Sequence, residues 1–571
     1  MTNSKSYTLG GTLLCFFLSS CSSVADLDSI DNQPYNSKIK SNLYDTDNDF
    51  IPNIIEEELG MNPYNSDENG NNISDGLDSD GQNGDTFFDM QWYIYSQNHT
   101  THNGTKVNIN GNDLNLLNIY SRYMGYNNGN NIIIQVVDSG VYPTHPDLIE
   151  NIDRYRSYSG DNSGSLRVPT DPHGTKVAGV IAARAFNGQG VRGIIPFAKI
   201  ASSNWLINKK YYQLDKSWVS GVGANEIAIS NNSWGSDFDT DTILEEYMKR
   251  GSQFLRNNKG RIYVFASGNS RREHGDANLQ YVASSRFPIV TASLNFNDRV
   301  TSYSTPGANL LVSAYGGEDF TITPTIATTT IPGTSVNSGN RDTQTTWDAD
   351  YNQEYTYDFT GTSAAAPMVS ASIGLVLEAC PNLTWRDVRY LLANNAKQID
   401  SSNSSWIEND AGLKHSNDYG FGLINPQGMI DECSHGYKVL SRERNFQKMI
   451  NTNINIPDNK NPIGVNINIT SQAIIEWVEV TVKSNHVFAS DLKIVLISPS
   501  GTRSTLIDVN PISGKSTYYS TTTDWMSSGF RFSTALMTGE SSRGAWRVEV
   551  SDESADDRGI LKGVMLNIYG H

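Results

Sequence analysis

The sequence predicts an α/β domain with a mainly parallel sheet flanked by helices, followed by a C-terminal β-sandwich. Residues 131–140, NIIIQVVDSG, are a continuous β-branched run that ends in a turn, which is typical of a strand buried in a parallel sheet. Helical runs begin at His173 and at Ser363. After about residue 440, runs such as DLKIVLISPSG alternate apolar and polar residues between turn residues, which predicts the sandwich.

Length and charge narrow the functional classes. The chain has 571 residues, which suggests about three or four structural units. Its formal net charge of -18 argues against nucleic acid as a partner, because phosphate binding needs basic clusters. Much of the acidity lies in short Asp/Asn-rich runs, which suit a hard cation such as Ca²⁺.

The N-terminus has the features of an export signal. Lys5 precedes an apolar run, residues 13–18, that is too short to remain as a membrane-spanning helix. The sequence Leu-Ser-Ser-Cys ending at Cys21 resembles the bacterial lipobox, so residues 1–21 are expected to be a lipoprotein signal peptide with Cys21 as the lipidated first mature residue. We expect an outer-membrane or cell-surface lipoprotein; the alternative is an ordinary signal peptide and a periplasmic or secreted protein.

Residues 22–84 are expected to be a polar tether with calcium-binding repeats. In DTDNDFIPNIIEEE, the spacing of side-chain ligands matches a calcium loop, with the Ile51 carbonyl at the seventh place and Phe50 where Gly is usual. The predicted side-chain ligands are Asp45, Asp47, Asp49, Asn53 and Glu56. A second run, DENGNNISDGLD, repeats the register, and the pair resembles thrombospondin type 3 repeats. The alternative is a disordered acidic linker.

From about Asp85 onward, single polar residues stand at the predicted ends of strands and helices. Asp138 ends the first buried strand, Asn269 ends the strand RIYVFASGN, and His173 and Ser363 open helices. Open α/β sheets collect their sites at such ends. The threonine-rich segment before Ser363 is expected to be a surface excursion or a strand pair.

The mature chain has two cysteines besides Cys21, namely Cys380 and Cys433. Export permits a disulfide between them, which would connect the helix after Ser363 to the chain leaving the domain. Two buried free thiols are the alternative, because the sequence gives no distance between them.

The four polar residues supply the groups that acyl transfer by a serine needs: a nucleophile, a base, an acid that orients the base, and an oxyanion donor. The first three come from Asp138, His173 and Ser363, whose order along the chain is Asp, His, Ser. The segments VVDSGVYPTHPDL, DPHGTKVAG, NNSWGS, FASGN and GTSAAAP each match the subtilase pattern. The chain resembles the kexin/furin branch of subtilisin-like serine proteases, through QWYIY, SGNSRREH and GFGLIN. The resemblance implies a subtilisin-like catalytic domain at residues 85–440 and a P (Homo B) domain at residues 441–571.

By this resemblance Ser363 is the nucleophile, His173 the general base and acid, Asp138 the residue that orients His173, and Asn269 an oxyanion donor. An edge strand carrying Ser233, Trp234 and Gly235 would pair with the substrate. A structural calcium site would use Asp85, Asp147 and Asn187.

Two departures from the branch affect specificity and folding. The acidic groups that select a basic residue before the cut correspond to Phe238 and Gln280, and the second calcium site corresponds to Phe238, Gly275 and Thr305. Asp237, Asp239 and Asp276 lie one place away, so basic specificity is left open. No prodomain pattern is visible between Cys21 and Asp85, so we expect unaided folding or a separate folding chaperone.

Together these features predict an exported, calcium-dependent serine endopeptidase that acts on protein or peptide substrates. The alternative function is a catalytically inactive surface adhesin on a protease scaffold. The sequence does not predict the oligomeric state.

Overall fold

The computed structural model of the protein describes residues 45–80, 83–96, 98–100, 106–109, 111–126, 131–158, 169–235, 242–318, 323–332, 354–458, 460–486, 488–508, 526–555 and 558–571. The predicted signal peptide, Cys21, the first part of the predicted tether and Phe238 lie outside these residues.

The described helices are α1 (Asn53–Leu59), α2 (Leu117–Tyr120), α3 (His173–Ala182), α4 (Trp205–Asn208), α5 (Tyr211–Asp215), α6 (Ile243–Phe254), α7 (Thr362–Ala379), α8 (Trp385–Asn395) and α9 (Pro426–Ser434). A π-helical turn, Lys216–Ser220, follows α5. Short 3₁₀ turns occupy Asp75–Leu77, Phe88–Met90, Arg271–Glu273, Ala277–Leu279 and Ala489–Asp491.

The described strands of the first part of the chain are β1 (Asn98–Thr100), β2 (Lys106–Asn108), β3 (Ile133–Val137), β4 (Lys199–Ser203), β5 (Ile229–Asn232), β6 (Ile262–Ala266), β7 (Pro288–Leu294), β8 (Val312–Tyr315), β9 (Ile326–Thr329), β10 (Tyr355–Phe359), β11 (Ile407–Glu408) and β12 (Lys414–His415). The strands of the C-terminal part are β13 (Arg444–Ile456), β14 (Ile463–Ile469), β15 (Ile475–Ser484), β16 (Leu492–Ile497), β17 (Arg503–Ile507), β18 (Phe530–Thr534), β19 (Gly544–Asp552) and β20 (Gly559–Gly570).

The α/β domain is built on a six-stranded sheet in the order β4-β3-β5-β6-β7-β8. All neighbouring strands in it run parallel. Every residue of β3 is buried, which agrees with its unbroken β-branched sequence. The fold predicted for this domain is therefore confirmed. The threonine-rich segment contributes the antiparallel pair β9 and β10, and residues 333–353 between them lie outside the described part.

Helix α7 is the central helix of the α/β core. It is long and apolar enough to cross a membrane, but 83% of its apolar window is buried inside the protein, as expected of a core helix. Its end is connected to α9 by a disulfide between Cys380 and Cys433. Of the two alternatives for these cysteines, the structure therefore contains the disulfide and not the pair of free thiols.

The predicted tether differs from the structure over residues 45–80, which pack on the catalytic domain instead of standing away from it. Ile51 and Ile55 are fully buried in the same core as Phe87 and Phe88. Ile55 lies within α1, and Ile51 lies in the loop just before that helix. The Arg192 Nη1 also donates to the Gly76 carbonyl over 2.7 Å. The acidic composition of this segment predicts a tether, because it gives no sign that Ile51 and Ile55 are buried.

The C-terminal domain is the predicted β-sandwich, with two four-stranded antiparallel sheets in the orders β13-β20-β15-β18 and β14-β19-β16-β17. It docks firmly against the α/β domain. The Asn278 amide donates to the Leu506 and Ser533 carbonyls at 2.8 and 3.0 Å, and Arg386 pairs with Glu476. Polar groups buried in this way fix the relative position of the two domains.

Candidate active site

The parallel sheet brings four of the predicted site residues to one edge. Asp138 follows β3 directly, Asn269 comes three residues after β6, His173 begins α3, and Ser363 is the second residue of α7. The carboxyl ends of parallel strands share one edge, and helices that return across the sheet begin or end there. Residues distant in the sequence therefore meet at a single site.

Asp138 and His173 form a hydrogen-bonded pair in which Asp138 is buried and His173 is partly exposed. The Asp138 Oδ1 lies 2.8 Å from the His173 Nδ1 and also accepts from the Ser139 N–H at 2.7 Å. Burial lowers the pKa of His173, but the charge and hydrogen bond of Asp138 and the charge of Asp171 outweigh it, so the pKa is raised above 6.5. The pair fixes the tautomer that leaves Nε2 as the proton acceptor.

Ser363 lies at the positive end of α7, with its hydroxyl directed to the end of β5. Its Oγ donates to the Ser233 carbonyl at 3.0 Å, and the Ser233 Oγ donates to the Ser363 carbonyl at 2.9 Å. In this resting geometry the hydroxyl proton is directed to the Ser233 carbonyl, so that hydrogen bond must break before the proton passes to His173. Catalytic hydrogen bonds commonly form only once the substrate is bound.

Thr362 holds the Asn269 side-chain amide in one orientation. Its Oδ1 accepts from the Thr362 N–H at 3.0 Å and from the Thr362 hydroxyl at 2.9 Å. Because the oxygen is engaged, the Nδ2 is directed away from Thr362. A Cβ placed at Gly361 would lie 3.2 Å from that nitrogen, which locates it beside the start of α7.

Tyr303 and Thr362 support this arrangement and were not predicted from the sequence. The Tyr303 hydroxyl accepts from the Gly361 N–H at 2.9 Å and donates to the Gly317 carbonyl at 2.6 Å. Gly361 has a φ of 107°, a conformation that side chains rarely adopt. Thr362 stands within the predicted motif, whereas nothing in the sequence around Tyr303 indicates its contact.

Ser233, Trp234 and Gly235 lie beside the nucleophile, but they do not belong to an edge strand as predicted. Strand β5 is paired on both sides, with β3 and with β6. The three residues extend past its end at Asn232, and the Trp234 Nε1 donates to the Val137 carbonyl at 2.7 Å. The part of the predicted segment that would contact an extended peptide is therefore this extension and not β5 itself.

Asp85, Asp147 and Asn187 lie together, as the resemblance implied. The Asp147 Oδ1 accepts from the Asn187 Nδ2 at 2.8 Å, and the Asp85 Oδ2 accepts from the fully buried Arg192 at 2.8 Å. Burial raises the pKa of Asp85 to about 6, although Arg192 opposes the shift. Burial and the nearby charge of Asp85 raise the pKa of Asp147 well above its ordinary value. Two buried carboxyls this close favour a bound cation.

Residues 45–56, the acidic loop, hold a denser cluster. Ligand atoms of Asp45, Asp47 and Asp49 lie within 4.8 Å of one another. Asp49 and Glu56 are fully buried, and both oxygens of Asp47, one of Asp49 and both of Glu56 have no hydrogen-bond partner among the described residues. Burial, reinforced by neighbouring aspartates, raises the pKa of Asp49 and of Glu56 to about 8. These oxygens fit a cation with oxygen ligands.

One predicted ligand of the acidic loop is engaged elsewhere. The Asn53 Oδ1 accepts from the Thr46 N–H at 2.9 Å, and its Nδ2 donates to the Thr46 hydroxyl at 2.7 Å. Asn53 therefore stabilises the loop through Thr46. The predicted ligands that remain are the carboxylates.

The two predicted repeats have positive φ at the same two positions. The sixth residues, Phe50 and Asn72, both have positive φ, at 78° and 69°, and so do the fourth residues, Asn48 at 63° and Gly70 at 73°. Phe50 thus adopts the conformation that normally selects glycine. In the second repeat, Asn69 and Asn71 side-chain amides already occupy the Asp78 Oδ2, so its carboxylates are better satisfied than those of the acidic loop.

Among the described residues, those that correspond to a second calcium site in the catalytic domain either lack a ligand side chain or bond to protein groups. The Thr305 Oγ1 accepts from the Ser270 N–H at 2.9 Å and lies 3.1 Å from the Ser270 hydroxyl. Gly275 offers no side chain, and Asp276 accepts from the Asn278 N–H of its own turn. Phe238, Asp237 and Asp239 lie outside the described residues.

Comparison with known proteins places the domains in families. The model of the Subtilase family matches residues 129–422, and the model of the proprotein convertase P-domain matches residues 475–568. An extracellular serine protease of Aeromonas sobria is 29% identical over 536 residues, with coverage of 83% of this chain and 85% of the relative. Human furin is 28% identical over 513 residues, and the match covers 85% of this chain but only 58% of furin.

Solved structures agree with these matches. The crystal structure of the Aeromonas sobria serine protease has a TM-score of 0.74 and 26% identity, and the match covers 88% of this chain and 99% of that protease. The same protease in complex with a chaperone, ORF2, gives a TM-score of 0.73 at 26% identity over 89% of this chain and 99% of the protease chain.

Proposed function

The chain belongs to the subtilase family of serine endopeptidases, and from that premise we propose that Ser363, His173 and Asp138 hydrolyse peptide bonds in an exported, calcium-dependent enzyme. The observation that carries the proposal is the meeting of the Asp138–His173 pair with Ser363 and Asn269 at one edge of the sheet. Protein or peptide substrates would bind along residues 233–235.

In the first half of the reaction, the Ser363 hydroxyl leaves the Ser233 carbonyl and passes its proton to the His173 Nε2 as the Oγ attacks the substrate carbonyl carbon. Asp138 keeps the Nδ1 proton in place and stabilises the imidazolium. The substrate oxygen gains negative charge, which the Asn269 Nδ2 and the Ser363 N–H at the start of α7 stabilise. The tetrahedral intermediate expels the amine, which takes the proton from His173.

In the second half, a water molecule takes the place of the amine. His173 accepts a proton from this water as its oxygen attacks the acyl carbon, and the same oxyanion donors act again. His173 then returns the proton to the Ser363 Oγ as the ester bond breaks. The enzyme is restored, and the carboxylic acid product leaves.

Calcium is proposed to act in the structure and not in the reaction. Asp85, Asp147 and Asn187 would hold one ion in the catalytic domain, and the carboxylates of the acidic loop would hold another. In the acidic loop, a bound ion would compensate the buried negative charge that the unpartnered oxygens carry, and would thereby stabilise the folded state.

Export with a lipid anchor at Cys21 is proposed from the N-terminal sequence. The Aeromonas sobria relative is an extracellular serine protease, which supports export. That relative is also found with a chaperone, which supports a separate folding chaperone for this chain. Mass spectrometry of the mature N-terminus, with Cys21→Ser as the control, distinguishes a diacylated cysteine from a free N-terminus.

Hydrolysis of an unfolded protein such as casein, with and without a calcium chelator, tests the proposed activity. We expect cleavage by the native chain, loss of cleavage on chelation, and recovery when calcium is restored before aggregation. Casein hydrolysis that is unchanged by the chelator would contradict the proposed role of calcium. Folded protein that does not cleave casein at saturating calcium would contradict the proposed activity.

A further inference from the structure

The substrate side chain that precedes the cut has a defined entry point, given the proposed function. The attacked carbonyl must lie between the Ser363 Oγ and the Asn269 Nδ2. The Ser363 Oγ contacts the Ser233 carbonyl, and Asn269 follows Gly268 directly. The side chain on the acyl side of the scissile bond therefore projects between residues 233–235 and residues 267–269.

The Gln280 amide lies across this gap. Gln280 is only 2% exposed, and its Nε2 donates to the Ser267 carbonyl at 2.8 Å, which fixes which end of the amide is nitrogen. Its Oε1 would lie 2.5 Å from a Cβ placed at Gly235, and its Nε2 would lie 3.2 Å from a Cβ placed at Gly268. Gln280 thus touches both glycine walls and closes the gap between them.

The described groups that contact the Gln280 amide are the Ser267 carbonyl, Gly235 and Gly268, and none of them is charged. Residues 236–241, which follow Gly235, lie outside the described part of the chain. Behind Gly268 lies Thr305, whose Oγ1 would be 3.0 Å from a Cβ at Gly268 and is bonded to Ser270. An ammonium or guanidinium group that entered here would exchange its water for an amide and a hydroxyl. Burial of a charge without a counter-charge is unfavourable, whereas a short neutral side chain meets no such penalty.

We propose that Gln280 is a specificity-determining residue that selects a short uncharged side chain, such as alanine, serine, threonine or asparagine, immediately before the cut. The Gln280 amide limits the depth of the pocket, and its neutrality disfavours lysine and arginine.

The test is the ratio of kcat/KM for two quenched fluorescent peptides that differ only in serine or lysine before the cut. The native enzyme should prefer the serine peptide at least tenfold. Gln280→Glu should raise the lysine-to-serine ratio tenfold or more, because it places a carboxylate of nearly the same shape at the end of the pocket. Gln280→Ala should extend cleavage to leucine and methionine peptides without favouring lysine.

Both rates in each ratio come from the same preparation, so a smaller folded fraction of a variant cancels. Gln472→Glu, an exposed substitution in the C-terminal domain, is the matched control and should leave the ratio unchanged. A native preference for lysine or arginine, or an unchanged ratio in Gln280→Glu, would overturn the inference while leaving the protease activity intact. Cleavage of no peptide at all would overturn the proposed function and the inference with it.

Discussion

The catalytic centre and the acidic loop both bury carboxylates, and they differ in what those carboxylates contact. In the catalytic centre, the Asp138 Oδ1 is paired with His173 and with the Ser139 N–H, and the Oδ2 alone has no partner among the described residues. In the acidic loop, five buried oxygens of Asp47, Asp49 and Glu56 have no partner among the described residues. Protein groups orient the catalytic aspartate, whereas the carboxylates of the acidic loop still need a ligand to compensate their charge.

Because of this difference, the catalytic centre should determine the rate of the reaction and the acidic loop the stability of the fold. The catalytic groups are held by hydrogen bonds within the chain, so changing them should lower the rate and leave the fold almost unaffected. The acidic loop packs on the catalytic core through Ile51 and Ile55, so its cation should affect the stability of the folded protein and not the rate of a folded molecule.

The largest effect is expected for Asp138→Asn. The amide would favour the wrong tautomer of His173, and kcat should fall by roughly 10⁴. Steady-state hydrolysis and a thermal melt of the same preparation check it. A fall in Tm large enough to account for the lost activity would contradict a purely catalytic role.

A smaller loss is expected for Asn269→Ala, because one oxyanion donor remains in the Ser363 N–H. The expected decrease in kcat is about 10²–10³, with little change in KM. Asn269→Asp, which keeps the contact to Thr362 but loses the amide donor, should be similarly impaired. Near-native kcat in either variant would show that Asn269 does not contact the oxyanion.

The pH dependence follows from the raised pKa of His173. His173 must be neutral to accept a proton, so kcat/KM should fall on the acid side with a midpoint above 6.5, about tenfold per pH unit below it. The same shift stabilises the fold below the unfolded pKa of 6.5, and this contribution is lost as the pH rises through the native pKa. An acid midpoint below 6.5 would contradict the charge effect of Asp138.

The smallest effect on rate is expected in the acidic loop. Glu56→Gln should remove much of the calcium-dependent stabilisation, on the order of 2.7 kcal/mol for an ion at a hundred times its Kd. Folded Glu56→Gln enzyme should keep its native kcat. Glu57 is the neighbouring exposed residue, so Glu57→Gln is the matched control. Calcium should stabilise this variant as much as it stabilises the native chain. An equal calcium response in both variants would exclude Glu56 as a ligand.

The regular elements that position the catalytic groups were predictable because each has a local signature. The β-branched run before Asp138 and the small-residue motif around Ser363 dictate a strand and a helix start, and these fix where the side chains lie. The two N-terminal loops were predictable for the same reason, since alternate acidic residues specify the loop through local contacts. Asn53 shows the limit, because its bond to Thr46 depends on side-chain geometry.

Contacts between distant segments were not predictable. Arg192 pairs with Asp85, donates to Gly76 and lies between the rings of Phe88 and Phe186, with its guanidinium carbon 4.0 and 4.2 Å from their centroids. No local pattern distinguishes such an arginine from a surface residue. The docking of residues 45–80 depends on this arginine and on two isoleucines within an acidic segment, so composition alone indicated a tether.

Covalent labelling of Ser363 tests the central claim most directly. A fluorophosphonate forms a stable adduct with a serine only when the base and the oxyanion donors are in place. The account predicts one adduct per folded molecule, located to Ser363 by peptide mass spectrometry and absent from Ser363→Ala. Folded, calcium-loaded protein that takes up no label, or takes it up at another serine, would contradict the account and favour an inactive protease scaffold.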